Sequence, residues 1–149
     1  MTFKTHGDYA TRARASFARQ AMMTTLGAQI ADVAPGQVRL TLPFNPDLTQ
    51  QHGFMHAGAI TSVLDTAAGF AAYTLMPEDA AVLTVELKSS LLRPAAGVRF
   101  HITGQVVKPG RTIIFTEATA MAEDGQGVHT EIARLSASMM VVQGRAFRG

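Results

Sequence analysis

Asp65 is the residue of this 149-residue chain with the clearest chemical potential, because it is the only Asp, Glu, Lys or Arg between Asp47 and Glu78. It lies in the middle of Ala57 to Thr74, a run of small and apolar residues. Ala, Leu and Met there favour a helix, and Gly58 and Gly69 weaken it only modestly. At 100° per residue the run divides into two faces. Ile60, Val63, Leu64, Ala67, Phe70 and Ala71 gather on the side away from Asp65. Gly58, Thr61, Ser62, Ala68, Gly69 and Ala72 share its side, a stripe of small residues. A helix so apolar all round is expected to be buried. A buried carboxylate is costly unless paired or hydrogen-bonded. Asp65 is therefore either a member of a core network or a base or nucleophile, on a helix whose N-terminal N–H groups can hold an electron-rich oxygen. The helix pattern alone leaves both readings open.

The other candidates are weaker. His56 either acts as a second acid/base or orders the loop before the helix through hydrogen bonds. His52 reads as structural. His101 and His129 fall in strand patterns and read as solvent-side residues. No pair of histidines and carboxylates has metal-ligand spacing along the chain, so neither a metal nor a cofactor is expected. Ser62 and Ser136 lack the context of a nucleophile elbow. With no Cys, disulfide and thiolate chemistry are excluded, which fits a reducing compartment and an expected cytoplasmic location. A net charge of +2, with no basic run, zinc spacing or aromatic platform, gives no reason to expect nucleic acid. No uninterrupted apolar run reaches the ~18 residues of a membrane span, so no membrane partner is expected. The first residues lack the apolar core of a secretion signal. Charged residues make up 16% of the chain, below the usual ~25%, so part of the surface is expected to be covered by another subunit.

The elements that must position Asp65 follow from period and punctuation. Residues 8–26 read as one amphipathic helix, with Tyr9, Ala13, Phe17, Ala21 and Met22 on its stripe and Gly27 ending it. Residues 28–33 and 37–42 read as strands about the Pro35-Gly36 turn. The central helix follows a loop and ends by Pro77. Everything beyond reads as sheet. Residues 81–92 place Leu83, Val85, Leu87 and Leu91 on one face and Thr84, Glu86 and Lys88 on the other. Residues 98–106 alternate most clearly, Pro109-Gly110 turns into 112–121, and Asp124-Gly125 turns into a long strand, 128–142. The whole is one α+β domain, 1–149, with 1–26 as an N-terminal helical extension, in which a curved sheet could wrap the central helix.

Several strings in this frame resemble the hotdog-fold acyl-CoA thioesterases, specifically the PaaI-like (phenylacetate-degradation) branch. They are Gln50-Gln51-His52-Gly53-Phe54-Met55-His56-Ala57-Gly58 followed by Leu64-Asp65, then Leu83-Thr84-Val85-Glu86-Leu87, Leu92-Arg93-Pro94-Ala95 and Val107-Lys108-Pro109-Gly110-Arg111-Thr112. The resemblance covers residues 26–142. It implies a five- or six-stranded antiparallel sheet curled round the central helix, and a homodimer, often paired into a homotetramer, with active sites at the subunit interface. It implies that Asp65 is the general base or nucleophile on the thioester of an acyl- or aryl-acyl-CoA, and that the N–H of Ala57 polarises the carbonyl. His-Ala-Gly replaces the family's usual His-Gly-Gly, so the Ala57 methyl could restrict the approach of the carbonyl. It further implies His56 as the motif histidine, Gln50 near the scissile bond, and Thr84 as a hydroxyl that holds the attacking water from the partner subunit. With a site shared between subunits, Gly58, Ala68, Gly69 and Ala72 could leave room for a neighbouring subunit or an acyl chain, Gly58 as a substrate-binding position. Arg93, Lys108 and Arg111 are expected to meet the phosphates of CoA or to be solvated surface charges. Asp65 lies eight residues past Ala57, about 12 Å along the axis, so one chain cannot easily bring both to one thioester. The alternatives are a hotdog-fold enoyl/hydroxyacyl hydratase-dehydratase, whose His-Phe-Pro-Gly string is absent here, and a non-catalytic acyl-CoA-binding module.

Overall fold

The structure, a computed structural model, describes residues 2–144. Two short helices, α1 (Tyr9–Ala18) and α2 (Ala21–Leu26), precede a strand pair, β1 (Gln29–Ala34) and β2 (Gln37–Pro43). A 3-10 turn at Pro46–Leu48 leads to the central helix α3 (Ala57–Tyr73). Four antiparallel strands complete the chain: β3 (Ala80–Leu91), β4 (Arg99–Lys108), β5 (Ile113–Glu123) and β6 (His129–Gln143). All six form one sheet in the order β1-β2-β4-β5-β6-β3, so β1 and β3 are its edges. The expected strands fall within one or two residues of these, and the sheet has the upper of the two expected strand numbers.

The core is the layer between α3 and one face of this sheet. Val38, Leu40, Leu42, Phe100, Ile102, Ile114 and Met139 point inward and are almost wholly buried. Across from them, Ile60, Val63, Leu64, Ala67 and Ala71 of α3 are equally buried. The helix and the sheet also meet at backbone distance. A Cβ on Gly104 of β4 would lie 2.2 Å from the Ala67 carbonyl, so the helix backbone rests directly on the sheet there. Such overpacking costs roughly 1–3 kcal/mol or more. Ala68 and Ala72 are wholly buried inside the same chain. They leave no room for a neighbour or an acyl chain, contrary to the sequence expectation. Gly69 is buried as well, with Met139 and Val82 nearest the space its side chain would take.

Two expectations about secondary structure are corrected. The single N-terminal helix is broken at Arg19 and Gln20, and Gln20 takes an extended conformation. Its side-chain carbonyl accepts a hydrogen bond from the Thr66 hydroxyl at 3.0 Å, which ties the break to α3. The break resets the helical phase. Met23 and Leu26 are buried where Ala21 and Met22 were expected to be, and Met22 is half exposed. The second correction concerns β3. Its register against β6 shifts between Thr84 and Glu86, a β-bulge at Val85. Thr84 pairs with the buried Met139, Leu87 with Ala137, Ser89 with Leu135 and Leu91 with Ala133. Cross-strand partners share a face, so Thr84 joins Leu87 and Leu91 on the helix side. Glu86 and Lys88 face outward with Leu83. One extra residue reverses every side chain beyond it.

Candidate functional site

The loop before α3 sets up the first half of the site. Gln50 donates its N–H to the Phe54 carbonyl at 2.8 Å, and its side-chain oxygen accepts from the His52 N–H at 2.5 Å. The loop thus folds on itself, and Gln50 lines a cavity. His56 is the N-cap of α3. Its Nδ1 accepts from the Gly58 N–H at 2.7 Å, a bond of the kind worth ~1 kcal/mol. The Ala59 N–H bonds back to the His56 carbonyl at 3.0 Å. Among the described residues, the Ala57 N–H alone of these first three donors has no acceptor. It sits at the positive end of a buried 17-residue helix. Ala57 lines a cavity of about 420 Å³ with Gln50, Arg93 and the apolar Phe54, Ile60 and Leu91.

The second half lies further along α3. The Thr84 hydroxyl of β3 donates to Asp65 Oδ1 at 2.8 Å. Burial holds the Asp65 carboxyl above its ordinary range, and this bond offsets part of the rise. Asp65 Oδ2 has no partner among the described residues. Asp65 is half-buried, open on the side where β3 ends the sheet. A carboxylate poised in this way, with one oxygen held and one free, can accept a proton from water.

The structure brings together Gln50, Ala57 and Arg93, and separately Asp65 and Thr84. It does not bring together the rest. Thr84 and Asp65 of one chain stand together, because the β3–β6 pairing carries Thr84 under α3. The Gly58 N–H is taken by His56, and His56 Nδ1 by Gly58, so both act first as the cap. Arg93 donates to the Glu131 carbonyl at 2.7 Å. Lys108 ends β4 and Arg111 lies in the turn after it. Arg111 lines a different cavity, of about 510 Å³, with Phe3, Lys4, His6 and Met76, beyond the opposite end of α3. Among the described residues, Arg93 and Arg111 thus line separate cavities. Sequence reasoning missed the apolar lining of the first cavity. Leu91-Leu92 directly before Arg93-Pro94 was the available signal, an apolar pair where a strand meets a turn. It also missed a cluster of His101, Glu123 and His129, which the strand pairing places together.

A family profile, the thioesterase superfamily, matches residues 52–129, a span that holds His56, Ala57, Asp65, Thr84 and Arg93. The chain belongs to the thioesterase superfamily. It is a thioester hydrolase with the hotdog fold, PaaI-like in arrangement. A thioesterase family protein from Silicibacter pomeroyi superposes with a TM-score of 0.89 at 51% identity, covering 91% of this chain and 99% of that one. The PaaI protein of the Escherichia coli phenylacetic acid degradation operon superposes at 0.80 with 21% identity, covering 91% and 94%, which is a likeness of fold. A Halobacterium salinarum relative, named as a candidate esterase, is 31% identical over 119 residues, 75% of this chain and 78% of its own. No described helix is long and apolar enough to cross a membrane.

Proposed function

We propose that this superfamily member hydrolyses acyl- or aryl-acyl-CoA to the free acid and CoA, at a site built by two copies of the chain. The unengaged Ala57 N–H over an apolar cavity carries this reading. It offers one copy's helix N-terminus to the thioester carbonyl oxygen, with the acyl group against Phe54, Ile60 and Leu91 and the Gln50 amide beside the scissile bond. The partner copy offers its Asp65. Asp65 Oδ2 takes a proton from a water molecule, whose oxygen bonds to the carbonyl carbon. Charge builds on the carbonyl oxygen and is held by the Ala57 N–H. The oxygen then re-forms its double bond, the C–S bond breaks, and the CoA sulfur leaves and takes up a proton. A base pKa raised toward neutrality suits this proton transfer.

The second copy is supported by edge strand β3. Val85 and Leu91 are more than half exposed, and Leu83 and Leu87 are at least 40% exposed, on a 12-residue strand whose outer side pairs with no strand among the described residues. Long apolar edges are templates for pairing with another chain. Pairing two β3 strands about a two-fold axis makes a homodimer and covers Leu87 and Leu91 beside both half-sites. Arg93, Lys108 and Arg111 supply CoA-phosphate contacts from the two copies jointly. A homotetramer is a pair of such dimers, and the protein works in the cytoplasm.

Release of free thiol from a panel of acyl- and aryl-CoAs tests the activity, and subunit mixing tests the shared site. Dimers combining an Ala57→Pro copy with an Asp65→Asn copy contain one doubly damaged and one intact site. Random mixing of the two inactive variants should restore about a quarter of wild-type turnover per chain. No recovery from mixing, with dimers formed, rules out the two-copy site. No turnover of any CoA thioester by the wild type rules out the activity.

A further inference from the structure

On the outer face of the sheet, away from α3, lies a set of donors that the hydrolytic site does not use. β4, β5 and β6 lie side by side. Glu123 of β5 pairs directly with His129 of β6 and with Arg99 of β4, and His101 stands two residues beyond Arg99 on the same face. Phe100 and Ile102, its neighbours in sequence, are wholly buried on the opposite face. Glu123 Oε2 lies 2.5 Å from His101 Nε2 and 3.8 Å from His129 Nε2. The two imidazoles stack with centroids 4.6 Å apart and planes 17° from parallel, so both present Nε2 to one carboxylate oxygen. All three donor atoms lie within 4.8 Å of one another.

We propose that His101, Glu123 and His129 form a binding site for one divalent first-row transition-metal ion of the zinc class. Two imidazole nitrogens and one carboxylate oxygen are a zinc donor set, with a fourth position left for water. Magnesium and calcium prefer oxygen ligands and would be poorly served by it. At metal–ligand distances of ~2.0–2.2 Å, two donors of one ion lie up to about 4 Å apart. The half-exposed His129 ring is free to turn about its side-chain torsions, which brings its Nε2 toward the other two donors. The carboxyl of Asp124 lies within electrostatic reach of His129 and adds negative charge, whereas Arg99 opposes it from the β4 side. The three ligands come from three hydrogen-bonded strands, so the ion cross-links the sheet outside the hydrolytic chemistry. The site stands whether or not the thioesterase reading holds.

Untagged protein stripped with a chelator and titrated with Zn2+ by calorimetry, and with Co2+ as an absorbing probe, tests this. One equivalent per chain is expected, with visible Co2+ bands of nitrogen–oxygen ligation. His101→Ala, His129→Ala and Glu123→Gln should each weaken Zn2+ binding by more than the roughly 10- to 100-fold that loss of an outer-shell partner costs. His52→Ala should bind as the wild type does. At a hundredfold excess over Kd, Zn2+ should raise the wild-type Tm by roughly 5–10 °C and leave the three variants unmoved. No stoichiometric binding by the wild type overturns the site. So does wild-type affinity in His129→Ala or Glu123→Gln protein that circular dichroism shows to be folded.

Discussion

The two halves of the hydrolytic site differ in what supplies the chemistry. At the start of α3 it is the backbone. The Ala57 N–H would exist with almost any residue at that position, and what makes it available is that His56 and the first helical turn occupy its neighbours. In the middle of α3 it is one side chain, whose charge is made costly by burial and partly relieved by Thr84. The first half is protected against side-chain change and vulnerable to loss of a proton donor. The second is the reverse. A site divided in this way responds to substitution by rules that differ from one end of a helix to the other.

The largest break in that contrast is expected from Asp65→Asn. It keeps the shape and removes the charge, so kcat should fall by ~10²–10⁴ with substrate affinity changed only a few-fold. The protein should remain folded and gain stability at neutral pH. The folded-state carboxyl has a raised pKa, so the folded state holds its proton more tightly than the unfolded chain does. Its contribution is therefore favourable at low pH and lost as pH rises through the folded pKa. Removing the charge removes that loss. Wild-type kcat in a stable Asp65→Asn protein, measured beside its melting temperature, would end the proposed mechanism.

At the backbone half, Ala57→Pro should lower kcat by ~10² or more, because it deletes the free N–H. Proline is well tolerated at the first helical position, so α3 should persist, as circular dichroism can verify. Ala57→Gly keeps the donor and should stay within about tenfold of wild type, with only ~1 kcal/mol of helix propensity at stake. Equal losses from the two substitutions would show that the methyl, not the N–H, matters there.

The smallest expected effect sharpens the side-chain half. In the proposed mechanism the deprotonated Asp65 is the active form, so kcat/KM should fall as pH drops through its raised pKa. Thr84→Val deletes the hydroxyl that lowers that pKa. The acid limb of the pH profile should move to higher pH, with the plateau altered by only a few-fold. An unmoved limb in a pH–rate profile would mean that another group titrates.

Most of the fold was legible in the sequence because it rests on periodicity. The expected central helix, 57–74, ends one residue from the observed α3, and the period-two run at 98–106 is β4 almost unchanged. Alternation and Pro-Gly punctuation are local properties, fixed by side-chain geometry and backbone sterics. The residues of both proposed half-sites came from the resemblance carried by His56-Ala57-Gly58 and Asp65 rather than from the helix pattern alone. That pattern left Asp65 open between core network and base.

What only the tertiary structure decided has a common physical cause: contacts between residues distant in the chain. The bulge at Val85 depends on pairing with β6, and that pairing sets Thr84 on the helix side, against Asp65. The break at Gln20 depends on Thr66, 46 residues away. Gly104 has meaning only once the Ala67 carbonyl lies against it. His101, Glu123 and His129 show no ligand spacing along the chain and meet because three strands lie side by side. Local sequence sets which elements form and which faces are apolar. Register, close approach and the meeting of distant donors are settled when those elements pack, since each depends on the partner as much as on the residue itself.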